Sequence, residues 1–330
     1  MSNIEKGAFQ ALTNCLGLKK DEKVMIITDI ETLEIGVAFL TEAKRLTKKI
    51  KFFIMEDFSD RPLSFLPAEL KKAVHESDVG VLVAQGKEGE LQSFRKPFLE
   101  ECDKSKIRFA NMINVDQTIM EQGVCSDYAK IQRFSKDLYG ILKSAKKIEV
   151  KSKAGTSLVV EFDPEMKWVN ADGIIGKEHW SNLPDGEIYT CPKDVNGIAV
   201  IDGVLGDYFA AKYSLVSKWP VYVEIKSGRA IRVKCQNKEL EDDFREYINL
   251  DENASRVGEF ALGTNLELKK LIGKLLQDEK YPGVHIAFGH GYPKRTGCKW
   301  SSVAHLDGIM LSPTVIVDGK KIMDSGEYTI

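Results

Sequence analysis

The sequence predicts an α/β protein in which an N-terminal domain with a doubly wound parallel sheet precedes a mostly antiparallel α+β domain. Three observations support this fold class. Buried strands alternate with amphipathic helices in the first half, short strands with Gly and Asp turns fill the second half, and the pattern changes near Lys146. At 330 residues the chain is also too long for one ordinary core. We therefore predict two domains, residues 1–146 and residues 147–330.

Four short apolar runs in the N-terminal domain have the length and composition of buried strands. They comprise residues 23–28, 51–55, 79–84 and 107–111. Segments with a helical spacing of apolar residues follow them, at 33–46, 67–75, 94–102 and 128–145. Repeated strand–helix units predict a parallel sheet. Because no G-x-G-x-x-G motif follows the first strand and no P-loop motif occurs, nucleotide binding is not expected.

The second half has shorter elements. A hairpin is predicted at 148–151 and 157–162, a strand with a turn at 168–176, and further strands at 198–201, 222–225 and 230–234. The spacing of apolar residues predicts helices at 239–249 and 265–277. Two more short strands, joined at Asp318 and Gly319, are predicted to close the chain.

Composition and charge exclude several classes of function. The chain is 43% hydrophobic and 29% charged with a net charge of −2, so we expect no nucleic-acid partner. No run of about 18 apolar residues predicts a membrane span. The six cysteines are scattered without a C-x-x-C pair, which argues against a zinc ribbon and a disulfide framework. Because the N-terminus also lacks the apolar core of a signal peptide, we predict a cytoplasmic protein.

The segment 283–308 contains three of the five histidines. Residues 284–289 alternate as a strand does, which puts His285 on one face with the small residues Ala287 and Gly289. His305 and Asp307 are two positions apart, so on a strand they share a face and lie about 7 Å apart at the backbone. An imidazole and a carboxylate placed in this way can converge on one ion. The segment therefore suggests a metal site, which forms our working hypothesis.

Two glutamates are candidates for the remaining ligands. Glu259 is followed at alternate positions by Ala261 and Gly263, which repeats the pattern of His285, and Glu187 follows a turn rich in Pro, Asp and Gly. Taken singly, each candidate also has a structural interpretation. A glutamate near a turn is commonly solvated, and a histidine in an apolar strand is commonly a hydrogen-bonded core residue. The remaining histidines are assigned no metal, because His290 follows a strand in a glycine-rich loop and His75 and His179 have no partner nearby in sequence.

Four sequence blocks, taken in order, resemble the M29 metallo-aminopeptidases, the aminopeptidase T/S group of leucyl aminopeptidase-like enzymes. The blocks are GEIYTCP, RVGEFALG, HIAFGHGY and SVAHLDG. The resemblance implies that a pair of divalent ions (Zn, Co or Mn) is bound by five ligands, namely Glu187, Glu259, His285, His305 and Asp307. It also implies that Tyr292 assists catalysis, that peptides are the substrates, and that the protein is a homodimer whose sites face an enclosed interior space.

The function predicted on this basis is hydrolysis of the N-terminal peptide bond through a metal-bound hydroxide in the C-terminal, metal-binding domain. Tyr292 is assigned the stabilisation of the oxyanion, and Glu187 is counted as catalytic because its loss should remove both activity and one ion. Three carboxylates suit two dications better than one. A single ion would leave Glu187 and Glu259 as buried charges without a partner, which is costly.

Two alternatives remain open from the sequence. In the first, His285, His305 and Asp307 hold a single Fe(II) as a facial triad, as in the related ring-cleaving dioxygenases that open dihydroxypyridines. In the second, the chain is a non-catalytic member of the same fold whose α/β half binds a small molecule or partner and whose metal site is partial or lost.

Overall fold

The computed structural model describes residues 2–178 and 180–330. The chain packs into two compact units, the first made of Met1–Lys130 and Gly173–Asp185 and the second of Ile131–Asp172 and Gly186–Ile330. Both units are discontinuous along the chain, whereas the predicted domains 1–146 and 147–330 are continuous, so that division stays a prediction. No helix within the described ranges has both the length and the apolar composition needed to cross a bilayer.

The first unit contains a five-stranded parallel sheet with the strand order β2-β1-β3-β4-β8. Its strands are β1 (Val24–Thr28), β2 (Ile50–Ile54), β3 (Val79–Ala84), β4 (Arg108–Ile113) and β8 (Ser181–Asn182). The four predicted strands form β1 to β4, and their parallel pairing confirms the fold class predicted for this half of the chain. The strand order reverses its direction between β1 and β3, as in other doubly wound sheets.

The helices of the first unit follow the predicted βα alternation. They are α1 (Asn3–Gln10), α2 (Leu33–Leu46), α3 (Ala68–His75), α4 (Lys96–Ser105) and the short α5 (Gln117–Ile119). Shorter turns add π-helical segments at Ala11–Cys15, Leu91–Arg95 and Met120–Val124, and a 3₁₀ turn at Met55–Asp57. Met25 and Ile27 of β1 pack in one core with Leu70 of α3 and Phe98 of α4. The buried, β-branched strands thus provide the surface on which the amphipathic helices are anchored.

The second unit contains two antiparallel sheets. The larger has the order β12-β11-β10-β6-β5-β16-β17-β18. Its strands are β5 (Lys147–Lys151), β6 (Ser157–Glu161), β10 (Asp194–Ile201), β11 (Val221–Lys226), β12 (Arg229–Lys234), β16 (Thr314–Val317), β17 (Lys320–Asp324) and β18 (Glu327–Tyr328). The predicted hairpin is confirmed as β5 and β6, and the predicted C-terminal strands are β16 and β17.

The smaller antiparallel sheet, which we call sheet C, has the order β15-β14-β13-β9-β7. Its strands are β7 (Val169–Ala171), β9 (Glu187–Thr190), β13 (Val257–Gly263), β14 (Gly283–Gly289) and β15 (His305–Met310). One face of sheet C is apolar, and its side chains lie in the main core of the unit: Ile188, Phe260, Leu262, Val284, Ile286, Phe288, Leu306 and Met310. This burial fixes the register, because a slip of one residue would exchange the two faces.

The helices of the second unit range from four to 15 residues in length. They are α6 (Tyr128–Leu142), whose first residues belong to the first unit, α7 (Asp207–Tyr213), α8 (Lys238–Tyr247), α9 (Leu275–Asp278) and α10 (Pro293–Thr296). The predicted helix at 265–277 is wrong, because only its end is helical. The carboxylate of Asp278 accepts hydrogen bonds from the backbone N–H groups of Ile272 and Gly273, at 3.0 and 2.7 Å. Gly273 also has a φ of +78°, so the backbone leaves the helical conformation before α9.

Candidate metal centre

The five predicted ligands lie on the face of sheet C opposite the apolar core: Glu187, Glu259, His285, His305 and Asp307. The strand register produces this arrangement, since residues directly opposite each other in antiparallel strands share a face. Ala287 of β14 lies opposite both Glu259 of β13 and Asp307 of β15. Gly263 of β13 lies opposite Glu187 of β9. Four strands thus bring together donors that are far apart along the chain.

Small residues leave space for this cluster. Ala261, Ala287 and two glycines separate the ligands on the polar face. The glycines also allow other segments to approach closely: a Cβ atom at Gly263 would lie 2.0 Å from the carbonyl oxygen of Tyr281, and one at Gly289 would lie 2.3 Å from that of Ala304. The pattern of one ligand followed by small residues is therefore a packing requirement as well as a property of the site.

The first donor group, called here the Glu187 group, consists of Glu187, Glu259 and His285, whose donor atoms lie within 4.8 Å of one another. Nε2 of His285 is 3.3 Å from Oε2 of Glu187 and 3.6 Å from Oε1 of Glu259. Oε2 of Glu187 and Nε2 of His285 are buried, and neither is aligned for a hydrogen bond with any described residue. Buried polar atoms without hydrogen bonds are costly, and a bound cation would satisfy both.

The second donor group, called here the Asp307 group, consists of Glu259, His305 and Asp307, again within 4.8 Å of one another. Nε2 of His305 is 3.3 Å from Oδ2 of Asp307 and 3.7 Å from Oε2 of Glu259. On the other side of the ring, Nδ1 of His305 donates to the backbone carbonyl of His290 at 3.1 Å. This hydrogen bond holds the ring and directs Nε2 towards the carboxylates, as in many metal-binding histidines. Glu259 belongs to both groups.

The carboxylates make this region strongly attractive to positive charge. Burial lowers the pKa of His285, but Glu187 and Glu259 outweigh burial and raise it from 6.5 to about 10. Burial likewise lowers the pKa of His305, whereas Asp307 and Glu259 raise it to about 10. A divalent ion bound by these rings would have to displace their protons, so protons and metal compete for the same nitrogen atoms.

Lys280 is a buried residue of this cluster that sequence reasoning missed. Its Nζ donates to Oε1 of Glu187 at 2.7 Å. Burial alone would raise the pKa of Glu187, but Lys280 and His285 have the larger combined effect and lower it from 4.5 to about 2. Burial raises the pKa of Glu259 by more than the imidazoles of His285 and His305 lower it, so its pKa lies above the ordinary value. The expectation that Glu187 would lack a cationic partner beside a single ion is therefore wrong, because the Lys280 ammonium provides one.

Glu279 is the second missed residue. Its carboxylate lies 2.7 Å from Nζ of Lys280, and its donor atom is within 4.8 Å of donor atoms of His285 and Asp307. Burial raises the pKa of Glu279 to about 8, although the charge of Lys280 opposes this shift. The signal in the sequence was the run Asp278-Glu279-Lys280 just before a predicted strand. This run directly follows the helix predicted at 265–277, and no role was assigned to it from the sequence.

Tyr292 lies beside the Asp307 group. Its hydroxyl is 3.2 Å from Nε2 of His305, and the two rings pack at 5.0 Å between their centroids. The backbone of Tyr292 has a φ of +51°, a left-handed conformation that a bulky residue rarely adopts, immediately before helix α10. Burial, with the charges of Glu259 and other carboxylates, raises the pKa of Tyr292 well above 10. The tyrosine is therefore an O–H donor at neutral pH.

The two other described histidines, His75 and His290, lie outside the donor groups. His290 takes part through its backbone carbonyl, while its Nδ1 lies 3.1 Å from the hydroxyl of Ser301. His75 belongs to the first unit, where its Nε2 is 3.0 Å from Glu101. His179 lies outside the described residues.

The donor set fits a divalent cation. Carboxylate and imidazole are ligands of Zn, Co, Mn and Fe(II). Oε2 of Glu187 and Nε2 of His285, which make no hydrogen bond with a described residue, lie 3.3 Å apart, so one cation can bind both atoms. Within the described part of the chain, no group of three donors within 4.8 Å contains both His285 and His305.

Comparison with known proteins identifies the family. A family model described as thermophilic metalloprotease (M29) matches residues 100–323, about two thirds of the chain. AmpT from Thermus thermophilus has a similar structure, with a TM-score of 0.72 and 20% identity over 99% of this chain and 99% of that chain. A 2,5-dihydroxypyridine dioxygenase from Pseudomonas putida KT2440 has a TM-score of 0.72 and 16% identity over 100% of this chain and 98% of that chain. No curated protein sequence gives a significant match.

The two structural similarities establish the fold alone, because both identities are low, and they confirm the predicted fold class. The family match carries the functional information and confirms the resemblance of the four sequence blocks. The chain belongs to the M29 family of metalloproteases and is a metal-dependent hydrolase.

Proposed function

We propose that this protein is an aminopeptidase that removes the N-terminal residue of peptides by using a pair of divalent ions, Zn, Co or Mn. The proposed ligands are Glu187, Glu259, His285, His305 and Asp307. One observation carries the proposal: two donor groups on one face of sheet C share Glu259, so that a single carboxylate can serve two neighbouring ions. Membership of the M29 family and the similarity to AmpT, an M29 aminopeptidase, support it.

Each part of the site has a distinct role in this proposal. The ions, when bound, supply Lewis acidity, which makes water nucleophilic near neutral pH and polarises a peptide carbonyl. Tyr292 donates its O–H to the oxygen on which negative charge develops. Glu279, whose carboxylate lies within 4.8 Å of donor atoms of His285 and Asp307 and whose pKa burial raises to about 8, is assigned the role of general acid or base. His305 is kept in position by the carbonyl of His290.

The second candidate is a ring-cleaving dioxygenase with one Fe(II). The dioxygenase structure has the same TM-score as AmpT, and Lys280 gives Glu187 a partner in a site with one ion. The arrangement of the donors argues against it, since a facial triad of His285, His305 and Asp307 needs both imidazoles around one ion. In the described residues each group of three donors within 4.8 Å contains only one of the two histidines, although Asp307 belongs to a group with each of them.

Hydrolysis of leucyl-p-nitroanilide tests the proposed activity. We expect turnover that EDTA abolishes and that added Zn, Co or Mn restores. N-acetyl-leucyl-p-nitroanilide should not be cleaved, because an aminopeptidase needs a free α-amine. Absence of turnover with every metal would refute the proposal and favour a non-catalytic member of the family. Ring cleavage of a dihydroxypyridine by protein containing about one iron per chain would favour the dioxygenase.

The variant Glu187→Gln separates the two enzymatic candidates. An aminopeptidase should lose activity and one ion, whereas an enzyme with a facial triad should keep its iron. Glu165→Gln is the matched control, since the Glu165 side chain is 77% exposed in the same unit and should tolerate the change without effect. Full peptidase activity of Glu187→Gln would contradict the assignment of this ligand. The homodimer and the cytoplasmic location stay predictions, which size-exclusion chromatography and cell fractionation can test.

A further inference from the structure

Lys280 places a positive charge at one end of the donor cluster. Its Nζ lies 2.7 Å from Oε1 of Glu187 and 2.7 Å from Oε1 of Glu279, and its side chain is only 4% exposed. A buried ammonium is costly unless its charge is compensated, and here two carboxylates contact it. The ammonium is thus held against Glu187, a member of the Glu187 group.

The two donor groups differ in this respect. In the Glu187 group, one oxygen of Glu187 accepts from Lys280 and the other faces His285 at 3.3 Å. In the Asp307 group, the nearest contacts of the His305 Nε2 atom are two carboxylates and the neutral hydroxyl of Tyr292. An ion in the first position would share a carboxylate with an ammonium, whereas an ion in the second position would not.

We infer that Lys280 makes the two ion positions unequal, so that the Asp307 group binds a divalent ion first and the Glu187 group binds a second ion more weakly. The inference rests on the proposed two-ion function and adds an order of binding to it. Two effects act in the same direction. The ammonium repels a second cation, and its hydrogen bond occupies Glu187, which weakens that carboxylate as a ligand. When metal is limiting, Lys280 serves as the cation of the Glu187 group.

Titration with Mn²⁺ of the full-length, metal-free protein tests this inference, with the free ion counted by electron paramagnetic resonance. We expect one tight ion per chain and a second ion whose Kd is at least tenfold higher. Lys280→Met should lower the second Kd at least tenfold, and Lys280→Arg, which keeps the charge, should not. Lys299→Met removes the same charge from a side chain that is 74% exposed and should match the wild type.

Two ions of equal affinity in the wild type, or an unchanged second Kd in Lys280→Met, would overturn the inference. If Lys280→Met does not fold, two variants that retain the lysine decide the matter. Glu187→Gln should abolish the weaker phase and Asp307→Asn the tighter one, and the reverse assignment would refute the order of binding.

Binding and catalysis can fail separately. A chain that shows both binding phases but does not hydrolyse leucyl-p-nitroanilide would contradict the proposed function and leave this inference standing. An active aminopeptidase that binds both ions with equal affinity would support the proposed function and contradict this inference.

Discussion

Replacing Glu259 by glutamine probes the centre of the proposed site, because this carboxylate belongs to both donor groups. The change keeps the size of the side chain and removes one negative charge, 3.6 Å from Nε2 of His285 and 3.7 Å from Nε2 of His305. At these distances the attraction between a carboxylate and an imidazolium is about 4.5 kcal/mol with an effective dielectric constant of about 20. This energy corresponds to an upper limit of about three pKa units for each ring.

We therefore expect the pKa values of His285 and His305, both about 10, to fall by about two units or more in Glu259→Gln. Titration of the imidazole Cε1–H signals by NMR in metal-free protein measures both shifts. His75 belongs to the other unit and provides an internal control within the same spectrum. A shift in one ring only would show that the charge of Glu259 does not act on both groups.

Metal binding provides the second measurement on Glu259→Gln. The variant should lose metal affinity at both positions, by at least about 100-fold each. Mutation of a residue that only hydrogen-bonds to a metal ligand already lowers metal affinity by about 10–100-fold, and here a ligand itself is removed. Burial raises the pKa of Glu259, which means that the ionised carboxylate destabilises the folded chain. In EDTA, the unfolding temperature of Glu259→Gln should therefore not fall below that of the wild type. Retention of either ion with wild-type affinity would refute the role of Glu259 as a shared ligand.

Three further predictions concern catalysis, pH and packing. Tyr292→Phe should lower kcat for leucyl-p-nitroanilide by about 10²–10³-fold, the effect of losing one oxyanion donor, with unchanged metal content by elemental analysis; a normal kcat would exclude this role. Because His285 and His305 have pKa values near 10, both are protonated at pH 7, so metal affinity should rise from pH 6 to 9. Calorimetry in buffers of different protonation enthalpy should detect about one proton released per imidazole, and an affinity independent of pH would contradict the shifts. Gly263→Ala should destabilise the fold by roughly 2–3 kcal/mol, measured by denaturant unfolding, because its Cβ would lie 2.0 Å from the Tyr281 carbonyl oxygen; wild-type stability would show that this segment moves freely.

Much of the fold follows from local patterns. Helix α2 occupies the predicted residues 33–46, and strand β3 the predicted residues 79–84. In sheet C, alternation with period two separates the core face from the polar face, so Glu259 and His285 could be assigned to a face from sequence. The failure at 265–277 has a local cause that periodicity does not reveal. There the carboxylate of Asp278 binds backbone N–H groups, and Gly273 adopts a positive φ.

The sequence alone determined which side chains of sheet C face the core and which face the site, because the side-chain period of a strand depends only on its own residues. Tertiary structure decided which of the polar side chains meet. Lys280 contacts Glu187 across 93 positions of the chain, through the pairing of β9, β13 and β14. Glu279 enters the cluster because the segment before β14 packs against Gly263. Register between distant strands is set by the packing of the whole unit, so the charge balance of this site could be read only from the folded chain.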